Sequence, residues 1–472
     1  MSPFAATGPA RLATRLAFFV AGFALLSIFL SSRAQTESTF FYGHSVAGKS
    51  PSLTTLVFSQ VTTWIFARSL MNAAILGFYY GLWGTLAYAT YYLSFLTGAK
   101  IIDSLRFRHG FSSVQQFLLA RFGHTGSACY NFVVGIRLIS EVFSNLLVIG
   151  ILFGVTGSMG YTVTILAFAA VTLGYSVMGG LHASLRTDVF QMVVFLMTLL
   201  VLIILTINSG AYSIAALSFK TFTVTDPGPV LMIVALLQVW SYPMHDPVMM
   251  DRGFLADRET TRQSFLHAAW ISIVCITAFG SLGILAGANA TSGEVMNDVL
   301  TRLLGEIPML LFSAALVISA MSTLDSTLSS SAKLIVIDMN LVKPTLQNGR
   351  LTMVCFMLTG LMFVFFGNQD LFSAVAVSGT ASMYLAPVIF FSLWGGRDDI
   401  PVWSYVCAFA LAITAAALYF SESSGYSAIL GESHKYTKLL FLSLGVLIGG
   451  CLAFWIGGRT TRHFGLNSSV NV

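Results

Sequence analysis

The sequence predicts an all-α polytopic membrane protein of about thirteen transmembrane helices. Three observations predict it. Apolar side chains make up 56% of the 472 residues, and the mean hydropathy is +0.81. Only 9% of residues are charged. Apolar runs of about twenty residues, enough to cross ~30 Å of hydrocarbon, recur from end to end. They fall at 14–33, 53–78, 80–100, 127–155, 160–178, 187–208, 228–250, 264–288, 308–335, 350–367, 371–394, 401–420 and 437–457. No segment between them is long or polar enough for a soluble domain, so residues 1–472 read as one membrane domain.

Composition excludes several classes. The five cysteines, Cys129, Cys275, Cys355, Cys407 and Cys451, lie within the runs with no CxxC spacing, as buried small hydrophobes do. The +5 net charge is scattered over short loops, which gives nucleic acid no basic face. The chain carries no HExxH, GxSxG or paired histidines at metal spacing, so it does not read as an enzyme. No cofactor is implied.

Loop charge sets an orientation. With the amino terminus outside, the cytoplasmic loops hold sixteen basic residues: Arg33, Lys49, Lys100, Arg106, Arg108, Arg121, Arg186, Arg252, Arg258, Arg262, Lys333, Lys343, Arg350, Arg397, Arg459 and Arg462. The other side holds six: Arg11, Arg15, Lys220, Arg302, Lys435 and Lys438. This positive-inside bias places a multi-pass protein in the cell (plasma or inner) membrane with its carboxyl terminus in the cytoplasm. Arg11 and Arg15 before the first run, and Ser32-Arg33-Ala34 after it, also fit a cleaved signal peptide over residues 1–34. Arg68 and Arg137 are left at membrane depth.

The densest polarity follows the apolar 307-IPMLLFSAALVI-318. In 319-SAMSTLDSTLSSSAK-333, Ser319, Ser322, Ser326, Ser329, Ser330 and Lys333 recur in three- and four-residue steps and form one helical stripe, flanked by Thr323 and Asp325. Polar groups at membrane depth are costly and mark pathways, and hydroxyl and carboxylate oxygens suit a hard cation such as sodium. Serines also permit close helix packing and bond back to their own carbonyls. Asp325 tips the balance toward an ion site.

The stretch Ser319-Ala320-Met321-Ser322-Thr323 resembles the sodium/solute symporter family, in which alanine or serine, two residues, then Ser-Ser or Ser-Thr open such a stripe. Two further stretches are similar to that family: 179-GGLHASLRTDVFQ-191, with its Gly-Gly, Thr-Asp and Gln, and 40-FFYGHSVAG-48 ahead of the second run. The likeness covers about residues 14–395 in order. It implies the inverted-repeat fold of the leucine transporter, a 5+5 core. A first helix (14–33) would precede repeat one (53–208) and repeat two (228–394), and two helices (401–457) would follow. Discontinuous helices then expose backbone oxygens near the midplane. In 240-WSYPMHDPVMMDR-252, Pro243 and Pro247 supply such an interruption, since each removes a backbone donor. The second run has neither proline nor glycine between Leu53 and Leu76, so its break near Thr62–Ile65 is implied by the resemblance alone.

The resemblance implies transport of one or two sodium ions together with a small-molecule solute. The shared sodium site would use carbonyls of Thr62, Ile65 and Ser319 with hydroxyls of Ser322 and Thr323. A second cation site would fall among Asp188, Ser322, Asp325 and Ser326, where two carboxylates either strengthen sodium binding or share a proton. Asp188 also fits a helix cap. The solute would lie among Trp64, Arg68, Ser69, Tyr88, Tyr91, Glu141, His245 and Asp246. That pocket is ionic, with Arg68 expected against Asp246 and Glu141, and Arg137 four residues before Glu141. Either the charges latch one another, or the solute is amino-acid-like, zwitterionic or an amine, with aromatic faces for a cation. His245 fits a proton relay or a hydrogen-bonded structural histidine. The same residues leave room for a proton-coupled carrier, a sugar or monocarboxylate symporter, or a transporter-like solute sensor.

Overall fold

The computed structural model describes residues 8–44, 48–210, 223–366 and 371–468. Ser45, Val46 and Ala47 of the third motif, Lys220 and the last residue of the 350–367 run lie outside the described residues. All regular structure among the described residues is helical.

In chain order, α1 (Gly8–Leu30) and the short α2 (Glu37–Tyr42) precede α3 (Leu53–Trp64) and α4 (Ala67–Thr90). Ser52 caps α3 by accepting from the Thr55 N–H at 3.3 Å. Then come α5 (Ser94–Ile102), α6 (Val114–Phe153) and α7 (Met159–Asn208). A second set comprises α8 (Pro227–Gln238), α9 (Pro247–Gly253), α10 (Arg258–Ala288), α11 (Met296–Leu304) and α12 (Glu306–Lys333). It is followed by α13 (Leu346–Phe366), α14 (Leu371–Ser382), α15 (Leu385–Pro387), α16 (Val402–Ser423) and α17 (Lys435–Ser468). Among the described residues, seven helices are long and apolar enough to cross a membrane, and nine spans result when each of two bent pairs counts as one.

The bends decide where polar groups gather. α3 and α4 meet at 58° across Ile65 and Phe66 with no glycine or proline at the break. The α8–α9 break instead carries Pro243 and Pro247. A 3-10 turn spans Tyr242–His245, and Asp246 caps α9 by accepting from the Met249 N–H at 3.0 Å. α12 lies at the centre, with every residue from Phe312 to Lys333 buried.

Glycine at positive φ bends three long helices, at Gly81, Gly123 and Gly180. Gly180, in the second motif, has φ 55° and ψ −146°, and a Cβ there would stand 2.5 Å from the Phe40 carbonyl oxygen. The motif's glycine thus lets α7 turn while α2 presses against it.

Two residues counted on cytoplasmic loops are not loop residues. Arg252 ends α9 with no exposed surface, and Lys333 ends α12 at 9% exposure. Both have found carboxylate partners inside the bundle, which a charge count over loops does not register. On the predicted outer side, Glu294 accepts from the Thr291 N–H at 2.8 Å and pairs with Arg302 at 2.8 Å. These bonds hold its carboxyl down at about 2. The nearby Asn289 side-chain amide donates back to the Leu285 carbonyl at 2.9 Å.

Gly180→Ala is expected to cost about 1–3 kcal/mol, visible as a lower melting temperature of the detergent-purified chain. Gly174→Ala, with open space around its Cβ, serves as the control. Equal melting of the two variants would contradict the strain assigned to Gly180.

Candidate functional site

The break after α3 frees carbonyls that an unbroken helix would have consumed. The Ile65 N–H still bonds the Val61 carbonyl at 2.9 Å, while the carbonyls beyond it turn elsewhere. Ser319 of α12 donates its hydroxyl to the Ile65 carbonyl. Thr323 donates to Thr63 at 3.5 Å, and Tyr92 donates to Trp64 at 3.1 Å. Thr62 lies buried in that same last turn of α3. Ser322, the other hydroxyl of the expected shared set, donates to Asp188 Oδ1 at 2.8 Å.

That carboxylate belongs to a second cluster. Asp188 sits within α7 rather than capping a helix, and its Oδ2 accepts from Ser59 at 2.6 Å. Asp325 accepts from Ser184 at 2.8 Å, from Thr187 at 3.0 Å and from Ser326 at 3.2 Å. Arg252 joins the two halves. Its Nε donates to Ser59 at 3.0 Å, its Nη2 donates to Ser326 at 2.8 Å, and Nη2 stands 3.5 Å from Asp188. Arg252 thus pairs with Asp188 directly and reaches Asp325 only through the Ser326 hydroxyl.

The hydroxyl stripe divides by direction. Ser319, Ser322, Ser326 and Ser330 reach other helices, Ser330 through Asp251 Oδ2 at 2.7 Å. Lys333 pairs with the same aspartate. Ser329, expected on the stripe, instead bonds back to the Asp325 carbonyl at 2.9 Å, and Ser331 bonds back to Leu328 at 2.7 Å. Asp251 and Lys333 line a cavity of about 560 Å³ on the predicted cytoplasmic side, together with Phe41, Arg106 and Asp338.

The expected solute residues also converge, with one exchange of partners. Glu141 pairs with Arg137, as their four-residue spacing allows, and Asp246 pairs with Arg137 rather than with Arg68. Arg137 Nη2 lies 2.8 Å from Asp246 Oδ2 and 2.5 Å from Glu141 Oε1. Arg137 stands one helical turn from Glu141, whereas Arg68 rises from α4 toward Ser144, to which it donates at 3.1 Å. Trp64 Nε1 donates to Asp246 at 2.7 Å inside an edge-on cage of Tyr92, Phe95 and Tyr242. Tyr88 donates to Ser69 at 3.0 Å, and Tyr91 donates to Gln238 at 2.9 Å. His245 Nδ1 lies 2.5 Å from the Tyr242 carbonyl and so carries the proton, while Nε2 faces Ser378 at 3.0 Å.

Ser59, Ser184, Thr187 and Arg252 were not singled out in the sequence. Ser184 and Thr187 stand within the quoted second motif, and Ser59 stands one turn before Thr62, so spacing could have found them. Nothing local separates Arg252 from a loop arginine.

Neither a family model nor a curated protein sequence matches this chain. Solved structures do. A Na+-coupled sialic acid symporter in a substrate-bound outward-open state is similar over 94% of this chain and 98% of its own, with TM-score 0.68 and 16% identity. Mhp1, a nucleobase-cation-symport-1 family transporter closed around bromovinylhydantoin, matches over 89% and 95%, with TM-score 0.54 and 15% identity. The Eremococcus coleocola manganese transporter, in complex with an aromatic bis-isothiourea substituted compound, matches over 87% and 95%, with TM-score 0.54 and 14% identity. Identities this low carry the fold, and the chain has the fold of these transporters.

Asp246→Ala would leave Arg137 with one carboxylate and Trp64 with none. We expect a loss of about 3–5 kcal/mol, read as a lower melting temperature in detergent. An unchanged melt would refute the latch formed by Arg137, Asp246 and Trp64.

Proposed function

We propose that the chain is a sodium-coupled secondary active symporter that imports a small polar organic solute by alternating access. The observation that carries this proposal is the pairing of freed carbonyls with hydroxyls. The broken turn of α3 faces Ser319 and Thr323, one helical step from the carboxylate cluster of Asp188 and Asp325. A dehydrated sodium ion needs several oxygens that do not have to be paid for by breaking a regular helix. Here the helix is already broken. The fold shared with a Na+-coupled sialic acid symporter supports the same conclusion.

In this mechanism sodium bridges α3 and α12 through carbonyls of the α3 break, with Ser319 and Thr323 exchanging their present bonds for the ion. A second cation is drawn by the carboxylates of Asp188 and Asp325. The solute occupies the space bounded by Trp64, Arg68, Ser69, Tyr88 and Tyr91. Sodium and solute each raise the other's affinity, and the membrane potential adds ~2.3 kcal/mol per charge per 100 mV. A proton in place of the second sodium is the alternative that the same two carboxylates favour.

The test titrates the purified chain with sodium chloride against potassium chloride at constant ionic strength and follows the melting temperature. Sodium should stabilise saturably and potassium should not. Ser322→Ala with Thr323→Ala should raise the half-saturating sodium concentration at least ten-fold. Unchanged sodium dependence in that variant, or equal effects of the two salts, refutes the assignment. Stabilisation that follows pH and survives removal of sodium indicates the proton-coupled form.

A further inference from the structure

We infer that His434 is a proton-operated clasp that ties the start of α17 to the bend in α4, on the predicted outer side. The inference goes beyond the proposed function and stands whether or not that function holds.

The start of α17 needs acceptors for N–H groups that no preceding turn supplies. His434 stands just before Lys435, the first residue of α17, and its carbonyl accepts from the Thr437 and Lys438 N–H groups at 2.9 and 3.1 Å. Its Nδ1 accepts from the Tyr436 N–H at 3.2 Å, the place that a serine or aspartate oxygen takes in an ordinary cap. An imidazole nitrogen accepts only while it carries no proton, so Nδ1 is bare and the neutral ring holds its proton on Nε2. Nε2 faces the Tyr80 hydroxyl at 3.4 Å. The rings of His434, Tyr436 and Tyr80 close a triangle, with centroids 4.9, 5.7 and 6.1 Å apart.

Tyr80 belongs to α4 and precedes Gly81, where a φ of 61° bends that helix. A Cβ on Gly81 would meet nothing within 4 Å, so the bend itself is open on that side. The contacts of Tyr80 with His434 and Tyr436 tie the bend to α17. Arg68 and Ser69 lie at the start of the same helix. The clasp therefore acts on a helix that borders the expected solute region.

Protonation removes the cap. Nδ1 would become a donor facing a donor, and a cation would stand at the positive end of a helix beside Lys435. Partial burial and the Lys435 ammonium already hold the imidazole below its ordinary value. Glu422, at the end of α16, does not compensate, because it binds Lys438 at 2.6 Å and the Leu430 N–H at 3.0 Å. The other titratable side chains around this corner are Asp226 ahead of α8, Tyr426 and Glu432 between α16 and α17, and Tyr79 beside Tyr80. Only the neutral ring caps, so the clasp is complete above the ordinary imidazole value of about 6.5 and is lost as the pH falls below it.

The test measures hydrogen exchange of the purified full chain at about pH 8 and about pH 5, either side of that value. Rates are corrected for the intrinsic effect of pH and referred to the core of α12, which contains no histidine. Acid should speed exchange over the first turn of α17 and over residues 80–84 together, by about five-fold, the effect of losing one helix cap. His434→Asn, which caps without titrating, should keep the slow rates at both pH values. His434→Ala should show the fast rates at both. Equal rates in the unaltered chain, an acid response that persists in His434→Asn, or acceleration of α17 with the bend unchanged would overturn the inference.

Discussion

A backbone group released at membrane depth must find a partner inside the protein, because lipid offers none. The turn at Ile65 and Phe66 releases several at once, and the packing around it answers that need. Ser319 and Thr323 meet α3 from α12, Tyr92 closes the Trp64 carbonyl, and Asn145 accepts from the Ala67 N–H at 3.1 Å. Four helices are thereby fixed around a two-residue interruption. The same groups are held only by hydroxyls and an amide, which can exchange a bond for an ion without breaking a helix. In the proposed function, the oxygens that satisfy the broken helix are the same ones that would hold the ion.

Charge follows a comparable rule at three depths. Arg137 with Asp246 and Glu141 forms an enclosed, fixed unit against the Trp64 cage. Arg252 is shared between Asp188 and the hydroxyl shell of Asp325. Lys333 and Asp251 meet beside the cavity on the predicted cytoplasmic side. The serine stripe of α12 runs past the two lower clusters, so the helix that contacts the α3 break also leads toward the cavity. Buried ion pairs add little net stability compared with apolar packing. Under the proposed function, their arrangement along α12 serves as a polar path.

Much of this was legible in the sequence because hydrocarbon imposes simple rules. Run length showed a chain built of apolar helices, although the described residues hold seven that could cross a membrane, or nine with bent pairs joined, and the runs 160–178 and 187–208 share α7. The 3-4 spacing of Ser319, Ser322, Ser326, Ser330 and Lys333 placed them on one face. The α8–α9 interruption was visible as Pro243 and Pro247. The α3 break was legible only through the family resemblance, because Ile65 and Phe66 have no local reason to leave a helix; tertiary bonds from α12 and Asn145 stabilise the opening. The partner of Asp246 was also out of reach. Arg68 and Arg137 are both arginines at membrane depth, and only the rotation of α4 against α6 decides which one faces the carboxylates. Arg252 and Lys333 read as loop charges because a positive residue at a helix end looks the same whether it meets water or a buried aspartate.

Under the proposed function, the Lys333–Asp251 pair ties the opening of the cavity to the electric field across the bilayer. Asp251 stands on α9 and Lys333 on α12. Parting these helices separates two opposite charges, and a field does work on each in proportion to its displacement along the membrane normal. Separation within the membrane plane would leave the opening indifferent to voltage, whereas separation along the normal would make it voltage-dependent.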